Sequence, residues 1–240
     1  MRQFSLLVLL FGNVFRCIAQ GPQSPPTAQI TVHDYAESAL FYSRSSGSVV
    51  LRGKCVQGTF GSRISTDELK FQAPDINENR DDSLIRLNHS YPNVTWSRAG
   101  DGVIRVRDSR ASAAILDLHI GRFELINAVS LTDAIKKLTK APEVQNFLSH
   151  THTQLFEEAS SSTISDYDRD RKLSLSPSAP KYSRIMTDVT LEEALDSVIR
   201  VFPGIWIYQE CPGWVTVTAV ANGTPNWKLL QPATGAAAVQ

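Results

Sequence analysis

The stretch VTLEEALDSVIRVFPGIWIYQECPGWVTVT, residues 189–218, predicts a capped helix, a turn and a β-hairpin. Thr190 and Glu193 have the spacing of a capping box, in which each side chain accepts a hydrogen bond from the other's backbone N–H. Apolar residues then recur at helical spacing until Pro203, which cannot continue the helix. Apolar and polar side chains next alternate in two runs on either side of the turn CPG, as in paired strands.

Three carboxylates lie on this predicted helix, at Glu192, Glu193 and Asp196. Acidic groups near a helix N-terminus interact favourably with the helix dipole. We therefore interpret all three as helix-start charges, with Glu193 also a capping residue, rather than as acid–base groups.

The same pattern occurs once more upstream. Residues 82–107 align with residues 193–218 without a gap, at a constant separation (193 − 82 = 111). The weaker cap of this copy is Asn79 with Asp82. The matched pairs include Tyr91 on Phe202, Pro92 on Pro203, Val94 on Ile205, Trp96 on Ile207 and Gly102 on Gly213. We interpret this as a true repeat, although any helix followed by a hairpin would align in a similar way.

A further strand and helix precede each copy, and in the second the helix begins at a cap formed by Ser130 and Asp133. The pattern predicts an α+β fold of two tandem small βαβ-βαββ modules, whose helices pack on small mixed sheets. The predicted organisation is a signal peptide at 1–19, a flexible lead at 20–29, a divergent first module at 30–110, a second module at 118–219 with a polar insertion at 149–180, and a tail at 220–240.

The N-terminus predicts export. Arg2 precedes an apolar run that ends near Phe15, and small residues around Ala19 suit cleavage there. A lipoprotein cleaved before Cys17 is disfavoured because Arg16 stands where a small residue is needed. We expect a periplasmic or extracellular protein without stable membrane insertion once the signal is removed.

Removal of the signal leaves Cys55 and Cys211. An even number of cysteines in an oxidising compartment makes these two a candidate disulfide. The alternative is a pair of buried, unlinked thiols. Sequence alone leaves both open, because it does not give the distance between them.

Metal and catalytic motifs are weak. His150 and His152 lie two residues apart, without nearby ligands at zinc-site spacing. DYDRDRKLS, residues 166–174, places aspartates at positions 1, 3 and 5 of a calcium loop, but Arg171 replaces the required glycine. The sequence has no Gly-x-Ser-x-Gly or His-Glu-x-x-His motif. We expect no metal, no cofactor and no enzymatic activity.

Charge argues against nucleic acid as a partner. The chain has 24 basic and 24 acidic residues, so its formal net charge is zero and does not attract a polyanion. Arg98, Arg105 and Arg107 form a basic patch on the first predicted hairpin. Trp96 beside them is expected to lie in the core with Val94 rather than to stack on bases.

Residues 120–219 resemble the secretin and TonB short N-terminal domain. The matching residues are SLTDAI at 130–135 and VTLEEALD at 189–196, followed by IWIY at 205–208 and the strand that starts near Gly213. The insertion at 149–180 departs from this family, which has a short connection there. The first module looks like a more divergent copy.

In that family the domain is a non-catalytic adaptor of bacterial envelope proteins and binds other proteins, often through exposed strand edges. The resemblance implies a free-standing periplasmic adaptor whose partner is a protein of the cell envelope. Two alternatives remain open: a structural secreted protein that assembles with itself, and a hydrolase that uses the loop at 149–180 as a lid.

Overall fold

The computed structural model of the chain describes residues 29–30, 36–37, 39–41, 44–57, 63–66, 71–72, 80–99, 102–156, 171–176 and 181–226. The predicted signal peptide, nearly all of the predicted lead and the end of the predicted tail lie outside these residues. Within the described ranges, no helix is both long and apolar enough to cross a membrane.

The described part of the chain contains both strands and helices. The strands are β1 Gln29–Ile30, β2 Gly47–Arg52, β3 Lys54–Gln57, β4 Arg63–Thr66, β5 Phe71–Gln72, β6 Val94–Arg98, β7 Ile104–Asp108, β8 His119–Ala128, β9 Gln154–Phe156, β10 Tyr182–Thr190, β11 Gly204–Cys211 and β12 Trp214–Ala221. The helices are α1 Arg80–Ser90, α2 Leu131–Leu138, α3 Pro142–His150 and α4 Leu191–Ile199. Residues 36–37, 39–41 and 171–175 are also helical.

The central element is a six-stranded mixed sheet with the order β6-β7-β2-β11-β12-β9. Strand β2 runs parallel to both β7 and β11, β9 runs parallel to β12, and the β6–β7 and β11–β12 pairs are antiparallel hairpins. Two-stranded ribbons form from β1 with β5, β8 with β10 and β3 with β4. The predicted mixed α+β class is confirmed. The separate small sheets that we expected for the two halves are instead joined through β2 and β11.

Strand β11 explains why one sheet serves both halves. Ile205 and Ile207 pack in a cluster that includes Leu84 of α1, whereas Trp206 and Tyr208 pack in a second cluster with side chains of α2 and α4. Side chains alternate between the two faces of a strand. Helices of the first half therefore cover one face of β11 and helices of the second half cover the other.

The predicted caps of the second half are confirmed. Ser130 Oγ accepts a hydrogen bond from the Asp133 N–H at 3.1 Å. Thr190 and Glu193 form the complete capping box, at 2.9 and 3.2 Å. Helix α4 ends at Ile199, three residues earlier than the apolar spacing suggested, and the next residues form a buried turn before the strand. The predicted first cap falls on residue 79, outside the described residues.

The gap-free alignment of the two copies is wrong by one residue in β11. Trp96 lies opposite Val106 in the first hairpin, and Tyr208 lies opposite Val217 in the second. Tyr208, rather than Ile207, is therefore the counterpart of Trp96. Val94, two residues after Pro92, lies opposite Asp108, whereas Trp206, three residues after Pro203, lies opposite the matching Ala219. The second copy therefore has one extra residue between the proline and the matched pair, and a slip of one residue reverses the face of a strand.

The predicted polar insertion contains regular structure at its start. Helix α3 ends at His150, and β9 adds a sixth strand to the sheet. Residues 157–170 and 177–180 of this insertion lie outside the described part. At the other end, β12 continues into the predicted tail, and the backbone N–H groups of Asn222 and Asn226 donate to Pro203 and Val201.

Candidate interaction surface

The β8–β10 ribbon packs one face against the second hydrophobic cluster and exposes the other. Phe123 and Met186, directly opposite each other, face inward. The outer face carries the exposed Ile126 and Ile185, whose side chains are 55% and 56% exposed. Isolated apolar residues on a surface are ordinary, but two on one narrow ribbon form a small apolar patch.

The backbone hydrogen bonds of the ribbon identify which groups point outward. The N–H of Leu191 donates to the carbonyl of Leu118, and the N–H of Gly121 donates sideways to Glu143 Oε1 of α3 at 3.2 Å. In an antiparallel pair, alternate residues direct their backbone groups towards and away from the partner strand. Asp188, which has a φ of +50°, interrupts this alternation, so that Met186 and Val189 both pack inward although they lie three residues apart. Because side-chain face and backbone direction alternate together in a strand, Met186 directs its backbone groups towards β8, as Val189 does. The N–H and C=O groups of Ile185 and Thr187 on β10 therefore point away from β8.

Strand β10 is an open edge in the described part of the chain. No described strand other than β8 pairs with it. The outer edge of β8, by contrast, is partly closed, because the Glu143 carboxylate accepts a hydrogen bond from the Gly121 N–H. An unpaired row of backbone donors and acceptors is able to pair with another extended segment.

A buried polar cluster joins the two halves on one face of the central sheet. Asp196 of α4 is fully buried and accepts hydrogen bonds from Trp206 Nε1 at 2.9 Å and from Arg105 of β7 at 2.5 and 3.0 Å. Beside it, Arg107 donates to Glu192 Oε2 at 2.6 Å. Strand β7 of the first half is thereby bound to helix α4 of the second.

The interpretation of all three carboxylates as helix-start charges is wrong for Asp196. Burial raises the pKa of its carboxyl, and the hydrogen bonds from Arg105 and Trp206 oppose that increase. Glu192 lies in the first turn, but its carboxylate also pairs with an arginine. The predicted basic patch is likewise paired, because Arg98 forms an ion pair with Asp81 at 3.5 Å.

The sequence contained a signal for this cluster. Arg105 and Arg107 alternate with the apolar residues of β7, so their side chains had to lie on the face opposite the first core. The structure brings α4 to that face. The partner could not be identified from sequence, because the two halves were expected to form separate sheets.

Cys211 is disulfide-bonded. The side chain of Cys55, its predicted partner, lies outside the described part of the chain. The backbone supports this pairing, since Arg52 lies opposite Glu210 in parallel strands and the Gly53 N–H donates to the Glu210 carbonyl at 3.0 Å.

We predict that digestion of the purified protein without reduction yields one cross-linked species that joins the peptides containing Cys55 and Cys211. The adjacent strands hold the two chain segments side by side, within the range that a disulfide spans. Mass spectrometry before and after reduction is the measurement. A peptide that links Cys211 to Cys17, or to a second chain, would contradict the pairing.

Of the candidate metal ligands, the structure describes the two histidines. His150 lies at the end of α3, where its Nδ1 is 2.8 Å from the Asn146 carbonyl oxygen, and His152 lies in the exposed turn that follows. In the part of the chain that the structure describes, no group of three or more His, Cys, Asp or Glu residues could hold a metal ion. The three aspartates of the calcium-like run lie outside that part.

The likeness to the secretin and TonB short N-terminal domain rests on the motifs of the sequence and stays a prediction. Comparisons of the chain with protein-family models, with curated proteins and with solved structures found no match.

Proposed function

We propose that this chain is an exported, non-enzymatic adaptor that binds an extended segment of a partner protein of the cell envelope at the outer edge of β10. The observation that carries the proposal is the open edge at Ile185 and Thr187, together with the exposed side chain of Ile185. In β-augmentation, main-chain hydrogen bonds supply affinity and alternate side chains supply specificity.

The order of elements supports an adaptor built from two tandem modules. Each half has a ribbon strand, a helix and a sheet strand, then a second ribbon strand, a helix and a hairpin. β1 with β5 corresponds to β8 with β10, and β6-β7-β2 has the order of β11-β12-β9. Helices α1 and α4 begin at Arg80 and Leu191, which are 111 residues apart (191 − 80 = 111).

The carboxylates that an enzyme could use have structural partners. Asp196 binds Trp206 and Arg105, and Glu193 caps α4. Glu210 accepts hydrogen bonds from Ser112 Oγ and from a backbone N–H. These contacts favour the adaptor over the hydrolase alternative.

The test compares Ile185→Pro with Ile185→Ala in a pull-down from an envelope extract of the source organism. Both changes remove the exposed isoleucine side chain, but only proline removes the outward N–H and obstructs the edge. Because this N–H does not bond to β8, the ribbon keeps its ladder. We expect the proline variant to capture a specific partner about tenfold less well than the alanine variant, a loss typical of one or two main-chain hydrogen bonds.

Thermal melts of both variants serve as the folding control. Equal capture by the two variants would reject the β10 edge as the binding site. Recovery of nothing except further copies of the chain would reject the adaptor and favour the self-assembling alternative.

A further inference from the structure

A second feature, remote from the proposed adaptor edge, is a cavity of about 390 Å³ at the carboxyl ends of β2 and β11. The segment 112–115, the end of α3 and the β11–β12 turn enclose it. Cavities of this size accommodate small molecules, and in sheets with parallel strands ligands commonly bind beyond the carboxyl ends of those strands.

Two opposite charges face this cavity from neighbouring strands. Arg52 and Glu210 lie directly opposite each other in the parallel β2–β11 pair, and both line the cavity. Within the described residues, no ion pair involves either of them. The guanidinium group has one hydrogen bond, at 3.5 Å to the Arg110 carbonyl.

Neutral donors hold the Glu210 carboxylate in place. The carboxylate accepts from Ser112 Oγ at 2.9 Å and from the Ala113 N–H at 2.7 Å, both neutral donors. The Tyr208 hydroxyl lies 3.5 Å from it. Burial, followed by the nearby Glu210 charge, raises the pKa of Tyr208, so the phenol stays protonated and donates. A carboxylate has about four acceptor positions, so capacity for a further donor remains.

The rest of the wall is largely apolar. Ile115, Phe147 and Val215 line the cavity beside the charged pair. A ligand matched to this arrangement has one apolar group and, beside it, one cationic and one anionic group.

We propose that this cavity binds a free α-amino acid with an apolar side chain. The ammonium group pairs with Glu210, the carboxylate pairs with Arg52, and the side chain packs on Phe147 and Ile115. Molecules that carry only one of the two charges leave the other protein charge unpaired and bind less well.

Isothermal titration of the full chain with L-leucine tests the proposal. The matched probes are 4-methylpentanoate, which lacks the ammonium group, and 3-methylbutylamine, which lacks the carboxylate. We expect L-leucine to bind at least about tenfold more tightly than either probe, since each charged hydrogen-bonded pair contributes that much or more.

Two variants locate the site. Arg52→Gln replaces an exposed side chain and is expected to weaken L-leucine binding at least about tenfold, whereas the control Arg122→Gln on the ribbon leaves it unchanged. The absence of heat with L-leucine at millimolar concentrations, equal binding of either single-charge probe, or unchanged binding by Arg52→Gln would each overturn the proposal. The β10-edge variants do not touch this cavity, so the two proposals fail independently.

Discussion

Replacement of Asp196 by alanine is expected to lower the free energy of unfolding by about 3 kcal/mol. The change leaves the fully buried Trp206 N–H without an acceptor and removes the contact of Arg105 with α4. Because Arg105 is 35% exposed, water compensates part of its loss, and most of the cost comes from the orphaned indole N–H. Urea unfolding monitored by tryptophan fluorescence gives the value.

Asp117→Ala is the matched control, because that aspartate lies on an exposed turn and is expected to change stability by less than about 0.5 kcal/mol. Trp206→Phe combined with Asp196→Ala completes a double-mutant cycle. The costs of the two changes are expected to be strongly non-additive, since both remove the same hydrogen bond. A loss below about 1 kcal/mol for Asp196→Ala would mean that the cluster does not hold the halves together.

Gly204→Ala is expected to destabilise the chain by about 2–3 kcal/mol, the range typical of overpacking. A Cβ atom at this position would lie 2.5 Å from the Val220 carbonyl oxygen and would also collide with the Leu131 side chain of α2. The leucine can move, but the carbonyl belongs to the hairpin backbone, so β11 and β12 would have to separate.

Gly121→Ala provides the comparison, because it changes another strand glycine in open surroundings. A Cβ atom there meets nothing closer than Glu143 Oε1, at 3.9 Å. We expect this variant to be neutral or slightly more stable, since alanine reduces the entropy of the unfolded chain. Equal thermal melts for Gly204→Ala and Gly121→Ala would contradict the packing of the hairpin against α2.

Local structure was predictable where local chemistry determines it. The capping box at Thr190 and the turn at Gly213, which adopts a φ of +79°, depend on nearby residues, and the sequence indicated both. The predicted end of α4 was less accurate, because Val201 and Phe202 continue the apolar spacing of the helix although their backbone already forms a turn. Such positions are decided by tertiary packing, which overrides local preference.

The joining of the two halves was not predictable from the pattern. Strand β11 has apolar residues on both of its faces, as expected for a strand in the middle of a sheet. This pattern predicts that both faces are buried, but it does not identify the elements that cover them. Ile205 and Ile207 signalled this second buried face, but two separate modules were expected, so no element was available to cover it. The candidate edge of β10 was similarly hidden, since an unpaired backbone leaves no mark on residue type.

The central claim is that a partner strand adds to the outer edge of β10. Amide hydrogen exchange at Ile185 and Thr187, measured in the free chain and in its complex with the captured partner, tests this most directly. The account predicts fast exchange in the free chain and slowing by at least about tenfold in the complex, because the outward N–H groups become hydrogen-bonded. Unchanged exchange at both amides, with protection at another surface, would contradict it.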